Sequence, residues 1–175
     1  MKYDWTSTVA RFQEQQEGVH VARSILIGMI AVMIFAGSAA SQGNFGLGII
    51  LGEPTGVSAK LWITDRSAVD MAAAWSFSDE EAFHLHADYL LHNFDLISVS
   101  KGRLPIHFGV GARVKFQDES ALGIRVPVGL TYIFDGAPID IFFEIVPILD
   151  LIPDTEFEAN AAIGARFFFG SVSTE

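Results

Sequence analysis

The chain has 175 residues, which fits a single domain, and it combines a 50% apolar composition with a net charge of −10 at pH 7. It contains no cysteine, which excludes disulfides and thiolate chemistry. It also has no run of lysine or arginine, so we expect no nucleic-acid partner.

Residues 1–40 predict an n-region and a secretory signal peptide. An apolar segment, Ile25 to Ala36, follows Arg23 and leads into small residues up to Ala40. This order is typical of an export signal that is removed, and the segment is short for a membrane-spanning helix. We therefore expect Sec export with cleavage after Ala40; the alternative is an N-terminal anchor.

From Asn44 onward the chain shows no helical period, and apolar residues alternate with polar or small ones in runs separated by turn residues. The seventh run loses its alternation after Pro147, and Pro127 in the sixth predicts a bulge or kink because proline cannot donate to a ladder. The longest connection is 93–104. The eight predicted strands are 44–52, 57–64, 69–77, 83–92, 105–116, 122–134, 139–147 and 157–169.

The fifth run has one apolar face and one polar face, and the surroundings of the apolar face have to be decided. Ile106, Phe108 and Val110 begin one continuous apolar face, whereas Arg113 and Lys115 lie on the other face among glycines. A soluble sheet buries its apolar face in a core, but a transmembrane barrel strand turns that face to lipid. The environment of the apolar face therefore decides the class of protein.

Three patterns in the sequence favour an apolar face that contacts lipid over one that is buried in a core. The charged face is also the glycine face, as expected in an eight-stranded barrel whose narrow interior must fit long side chains. The charges on that face also balance, as buried charges must. The predicted lumen network pairs Lys60, Arg113, Lys115, Arg125 and Arg166 with Asp70, Asp88, Asp140, Glu144 and Glu158.

Aromatic residues supply the third pattern, because they fall near the ends of the runs. Two girdles of this kind mark the interfaces of membrane barrels. The predicted girdle residues are Phe45, Trp75, Phe77, Tyr89, Phe116, Tyr132, Phe134, Phe167 and Phe169. The sequence therefore predicts an all-β fold: an eight-stranded antiparallel up-and-down transmembrane β-barrel over 44–169, with a polar tail at 170–175. The alternative is a soluble lipocalin-like barrel.

Histidines form the clearest candidate for a chemical site. His84, His86 and Asp88 share one strand face, a set that suits a zinc or iron ion or a hydrolytic triad with a serine. No serine lies in the turn that a nucleophile elbow needs. We expect these histidines, with His107, to join the lumen hydrogen bonds, and we expect no metal, no cofactor and no catalytic residue.

Four segments carry a family resemblance: 46–56, with Gly-Glu-Pro-Thr-Gly; 84–89, His-Leu-His-Ala-Asp-Tyr; 123–129, Gly-Ile-Arg-Val-Pro-Val-Gly; and 145–153. Together they resemble the BAPKO-like family of small bacterial outer-membrane barrels. The resemblance implies an eight-stranded barrel of the OmpA and OmpX kind and no established activity. One departure is that Phe169 is followed by a polar tail, whereas such barrels commonly end on an aromatic residue.

The expected function is a structural one in the outer membrane of a Gram-negative bacterium, with a side-chain-filled lumen. The expected partners are outer-membrane lipids and, during insertion, the barrel-assembly machinery; the sequence names no protein partner. The predicted outer loops are all short, which is atypical of adhesins and phage receptors. Two alternatives are a narrow pore for ions or water and a lipid-modifying enzyme that uses His84, His86 and Asp88.

Overall fold

The computed structural model describes residues 44–76, 82–116 and 120–169. These residues form nine antiparallel β-strands and include no helix with the length and hydrophobicity of a membrane span. The predicted signal peptide, Phe77 and the tail at 170–175 lie outside the described residues. The strands are β1 (Phe45–Gly52), β2 (Thr55–Trp62), β3 (Ser67–Ser76), β4 (Ala82–Asn93), β5 (Ile106–Phe116), β6 (Ala121–Arg125), β7 (Val128–Ile133), β8 (Ile139–Ile152) and β9 (Glu156–Phe169).

Apart from β6 and β7, which do not pair with each other, consecutive strands pair along the chain, and the sheet closes on itself. β1 pairs with β9, so the first and last strands seal the ring. β6 and β7 follow one another along a single position, because each of them pairs with β5 on one side and with β8 on the other. The result is a closed ring of eight strand positions, which confirms the predicted antiparallel up-and-down barrel.

The break between β6 and β7 lies at Val126 and Pro127, which confirms the predicted interruption of the sixth strand. Hydrogen bonds still connect the neighbouring backbones there: Gly109 N donates to Pro127 O at 3.0 Å, and Val126 N donates to Pro147 O at 3.0 Å. Because each proline lacks an N–H, the reciprocal bonds cannot form. The barrel wall is therefore continuous at this point but has fewer ladder bonds.

The seventh run corrects one prediction. Alternation does not end at Pro147, because β8 continues to Ile152 with inward and outward residues still alternating. Phe142, Val146 and Ile148 point inward although they are apolar, and this hid the alternation in the sequence. A consequence is that Asp150, absent from the predicted network, is buried in the barrel interior.

The barrel is apolar outside and charged inside, the reverse of a soluble barrel. Four of the largest fully buried side chains are Arg113, Arg125, Arg166 and Lys60. Exposed apolar side chains include Leu47, Ile49, Val57, Tyr89, Val110, Val128, Ile141, Phe143, Ile163 and Phe167. An exposed apolar surface of this extent has the character of a lipid-facing wall.

Aromatic rings cluster at both ends of the wall. Near the end where β1 starts and β9 finishes, the rings of Phe167 and Phe169 are 5.3 Å apart and those of Tyr132 and Phe134 are 4.7 Å apart. At the opposite end Trp75 packs on Phe83, with 5.0 Å between ring centroids. Of the other predicted girdle residues, Phe45 stacks on Phe169, Phe116 packs on Phe83, and Tyr89 is exposed beside Val69.

Candidate functional site

The candidate site is the charged interior of the barrel. Of the ten charged residues predicted to lie there, eight are buried, and the side chains of Lys115 and Glu158 keep 18% and 28% of their surface exposed near one mouth. Period-2 alternation explains this, because every second residue of each strand faces inward. Contacts across the lumen group the charges into three clusters and a histidine-lined region.

Arg166 on β9 is the centre of the first cluster. Its guanidinium bonds Asp140 on β8, with 3.0 Å between Nε and Oδ1, and it also bonds Asp70 on β3. The Ser58 hydroxyl lies 3.3 Å from Asp70 Oδ1. The guanidinium also stacks over the inward-facing ring of Phe142, 4.0 Å from its centroid. One cation therefore holds two carboxylates from opposite sides of the barrel.

Arg125 on β6 forms the second cluster. Its Nε lies 3.1 Å from both carboxylate oxygens of Asp88 on β4, and its Nη2 lies 3.7 Å from Glu144 on β8. All three residues are buried. This cluster therefore joins three strands across the interior, and it occupies the carboxylate that the metal and triad hypotheses assign to a reaction.

Arg113 on β5 forms the third cluster near the mouth opposite Asn44. It bonds Asp150, with 3.0 Å between Nε and Oδ1, and Glu158, with 2.7 Å between Nη2 and Oε2. Lys115 lies 3.5 Å from the same Glu158 carboxylate. Asp150 was missed by sequence reasoning, so the interior holds six carboxylates against five cations among the described residues.

A histidine-lined region fills the interior toward the end that carries Asn44. Lys60 Nζ lies 2.8 Å from Nε2 of His92, whose ring packs at a tilt against Trp62 with 4.4 Å between centroids. His107, directly across the strand pair from His92, lies 2.9 Å from the Thr131 hydroxyl through Nδ1. His92 was not among the predicted lumen histidines, although the alternation of β4 places it on the same face as His84 and His86.

Glycine makes room for these side chains. A Cβ at Gly123 would lie 2.2 Å from Asp150 Oδ1, and a Cβ at Gly129 would lie 2.7 Å from Nε2 of His107. At Gly164 it would lie 2.3 Å from the ring of Phe142. The small residues on the charged face are therefore the space into which the long side chains fold.

The structure places His84, His86 and Asp88 on the inner face of β4. Both histidines are buried inside the barrel, and Asp88 is held by Arg125. In residues 44–76, 82–116 and 120–169 no group of three or more histidine, aspartate or glutamate side chains is arranged to hold a metal ion. What this arrangement does chemically is to compensate charge across a narrow interior.

A cavity of about 830 Å³ opens at the end of the barrel that carries Asn44. Trp62, Phe94, Phe134 and Phe168 contribute aromatic walls, and Arg103 lies over the Phe94 ring at 5.3 Å. The cavity therefore ends at the aromatic layer that covers Lys60 and His92.

Comparison with known proteins supports the architecture. No protein-family model matches the chain, and no curated protein is similar to it at a significant level. Among solved structures, the N-terminal β-barrel domain of Pseudomonas aeruginosa OprF superposes with a TM-score of 0.60 at 14% sequence identity. The match covers 73% of this chain and 98% of that domain. At this identity the likeness establishes the barrel fold and nothing finer.

Proposed function

We propose that this protein is an integral outer-membrane β-barrel with a closed, side-chain-filled lumen and a structural role in the cell envelope, without catalysis. Two features support a membrane location: the apolar outer wall and the aromatic clusters at both of its ends. Closed barrels and helices are the structures that satisfy every backbone group within lipid. The chain's partners are then outer-membrane lipids and, during insertion, the barrel-assembly machinery.

The observation that carries the filled lumen is the burial of its cations. Lys60, Arg113, Arg125 and Arg166 are each 2% exposed or less, and three of them hold carboxylates from other strands. Breaking such a pair leaves an uncompensated charge buried in a low-dielectric interior, which costs several kcal/mol. A passing ion would have to displace these pairs, so the interior favours a plug over a pore.

The geometry favours a structural role over an enzymatic one. A lipid-acting enzyme needs reactive groups that lipid can reach, whereas His84 and His86 are buried inside the barrel and Asp88 is neutralised by Arg125. Membership of the BAPKO-like family, Sec export and a Gram-negative source complete the proposal and rest on the sequence patterns.

Single-channel recording in planar bilayers tests the filled lumen. We expect the purified, refolded chain to give no steady conductance steps above those of detergent alone, because the charge clusters block the interior. Boiled protein that has lost its barrel is the control for non-specific leakage. Reproducible steps of one size from the folded sample, absent from the boiled one, would show that the lumen conducts and that the chain is a pore.

A further inference from the structure

The connection between β4 and β5 presents two apolar side chains at the mouth that carries Asn44. Leu96 is 64% exposed and Val99 is 39% exposed. Unlike most exposed apolar residues of the barrel, they lie outside the strands. Neither of them lines the cavity at this mouth, so both face the surroundings of the barrel.

Contacts near both of its ends hold this connection in place. At the β4 end, Arg66 Nη1 on the turn between β2 and β3 lies 2.9 Å from Asp95 Oδ2. At the β5 end, Gly102 N donates to Asp135 Oδ2 at 2.7 Å. The two apolar side chains lie between these contacts, so they belong to a part of the rim that is tied to neighbouring strands on both sides.

Lys101 lies beside the aromatic girdle of this mouth. The Tyr132 hydroxyl donates to Lys101 O at 3.1 Å, and the Tyr132 ring packs against that of Phe134. A Cβ at Gly102 would lie 2.8 Å from the same hydroxyl oxygen, so the chain passes close to this ring. The aromatic girdles of membrane barrels lie at headgroup level. In a barrel inserted in a membrane, the contact with Tyr132 therefore sets Lys101 at the depth of the lipid phosphates.

The charges at this mouth divide between an inner and an outer side. Asp65, Arg103 and Asp135 line the cavity. Lys101 is exposed, does not line the cavity, and has no ion-pair partner within residues 44–76, 82–116 and 120–169. Arg66 also lies outside the cavity lining, but it is already held in an ion pair. The outer side therefore offers the ammonium group of Lys101 next to the girdle.

The opposite mouth differs in charge. Among the described residues there, the fully exposed charges belong to the carboxylates of Asp154 and Glu156. Lys115 is 18% exposed, and its Nζ lies 3.5 Å from a carboxylate oxygen of Glu158. Because a phospholipid phosphate is negative, it suits the mouth with the exposed lysine and is repelled by the mouth with exposed carboxylates.

We propose that Leu96, Val99 and Lys101 form a lipid patch that binds anionic phospholipids at the headgroup level. The Lys101 ammonium group pairs with the phosphate, and its methylene stem and the two apolar side chains pack on the upper part of the acyl chains. The inference rests on the proposed membrane location and deepens it, because it names the class of lipid and the side chains that bind it.

Native mass spectrometry of the refolded chain in detergent tests the pairing. Dioleoyl phosphatidylglycerol and dioleoyl phosphatidylcholine are titrated separately, and gel migration of unheated and boiled samples checks that each variant has folded. Lys101→Gln removes the proposed phosphate partner. Arg66→Gln is the matched control, because it also removes one exposed positive charge from this mouth but from outside the lipid patch.

We expect the wild type to bind phosphatidylglycerol more tightly than phosphatidylcholine. Lys101→Gln is expected to weaken phosphatidylglycerol binding about fivefold, the usual contribution of one lysine near an anionic lipid surface. Arg66→Gln is expected to change it less than about twofold, because a cation that is already paired contributes little. Equal affinity of the folded wild type for the two lipids would overturn the lipid patch, and so would equal losses in the two variants.

A spin label tests the apolar part of the lipid patch. The chain has no cysteine, so Leu96→Cys carries a single nitroxide, and Asp154→Cys places the control label at the opposite mouth. In phosphatidylglycerol vesicles we expect the label at position 96 to be more accessible to oxygen than to a water-soluble nickel chelate, and the label at 154 to show the reverse. Equal nickel accessibility at the two positions in an inserted barrel would overturn the lipid patch alone. A chain that fails to float with the vesicles would refute the membrane location itself.

Discussion

Replacing Arg166 by methionine is expected to lower the free energy of unfolding by about 3–5 kcal/mol, the usual cost of removing one partner from a buried ion pair. Arg166 is buried and holds Asp70 and Asp140 from opposite sides of the barrel. Methionine fills a similar volume but leaves two carboxylates without a counter-charge. Urea unfolding from lipid vesicles, followed by gel migration, measures the loss.

The chain offers a matched control at the surface. Arg66 and Asp95 form an ion pair at 2.9 Å, with side chains 60% and 70% exposed. Arg66→Met is expected to cost less than about 1 kcal/mol, because exposed pairs gain little. Adding Asp70→Asn and Asp140→Asn to Arg166→Met should recover part of the loss, since no charge is then left unpaired. Equal losses for Arg166→Met and Arg66→Met would contradict the role of the buried cluster.

Gly123→Ala is expected to destabilise the barrel by about 1–3 kcal/mol, the usual cost of overpacking a well-packed interior. The added Cβ would lie 2.2 Å from Asp150 Oδ1, whereas the nearest backbone atom is 3.1 Å away. Asp150 is not free to move aside, because Arg113 bonds it. The substitution therefore forces the Arg113–Asp150 pair to shift, and denaturant unfolding measures the cost.

A double-mutant cycle separates this clash from a general effect of alanine on the strand. In an Asp150→Ala background the space beside Gly123 is empty, so Gly123→Ala should cost clearly less than in the wild type. Ile124→Val, on the outward face of the same strand, controls for loss of apolar surface. An unchanged cost of Gly123→Ala in the two backgrounds would mean that Asp150 is not what requires glycine.

The wall of the barrel was predictable because an outer surface that is apolar throughout requires an apolar residue at every second position of each strand. On β5, residues from Ile106 to Phe116 alternate without exception, and their pattern sets strand type, length and facing at once. Pro127 was informative for the same reason, since a missing N–H has a local consequence. These features depend on each strand alone, so they do not require knowledge of its neighbours.

The interior was less predictable, because a lumen filled by side chains does not require polar residues at every inward position. β8 turns the apolar residues Phe142, Val146 and Ile148 inward. Its charged residues therefore do not form a regular polar face in the sequence, and the inward position of Asp150 was not predicted. The inward position of His92, by contrast, could have been predicted from the alternation of β4. Apolar residues are acceptable there because the interior needs filling as well as charge compensation.

The sequence also could not predict which cation pairs with which carboxylate. Arg166 bonds Asp70, which is 96 residues away in the chain, and Arg113 bonds Asp150, which is 37 residues away. The tilt and stagger of the strands decide which inward residues meet, and these are properties of the closed barrel. Composition predicted that the charges must compensate one another, but the partners follow from geometry.

Tryptophan quenching by brominated lipids tests most directly whether the apolar face of the barrel meets lipid while the charged face is sealed inside. Trp75 points outward and is 50% exposed, whereas Trp62 packs on His92 and over Lys60 at the inner side of a mouth. A chain lacking the predicted signal segment has these two tryptophans, so Trp62→Phe and Trp75→Phe each leave one reporter. We expect strong quenching of Trp75 and little quenching of Trp62; equal quenching of the two, or the reverse order, would contradict the claim.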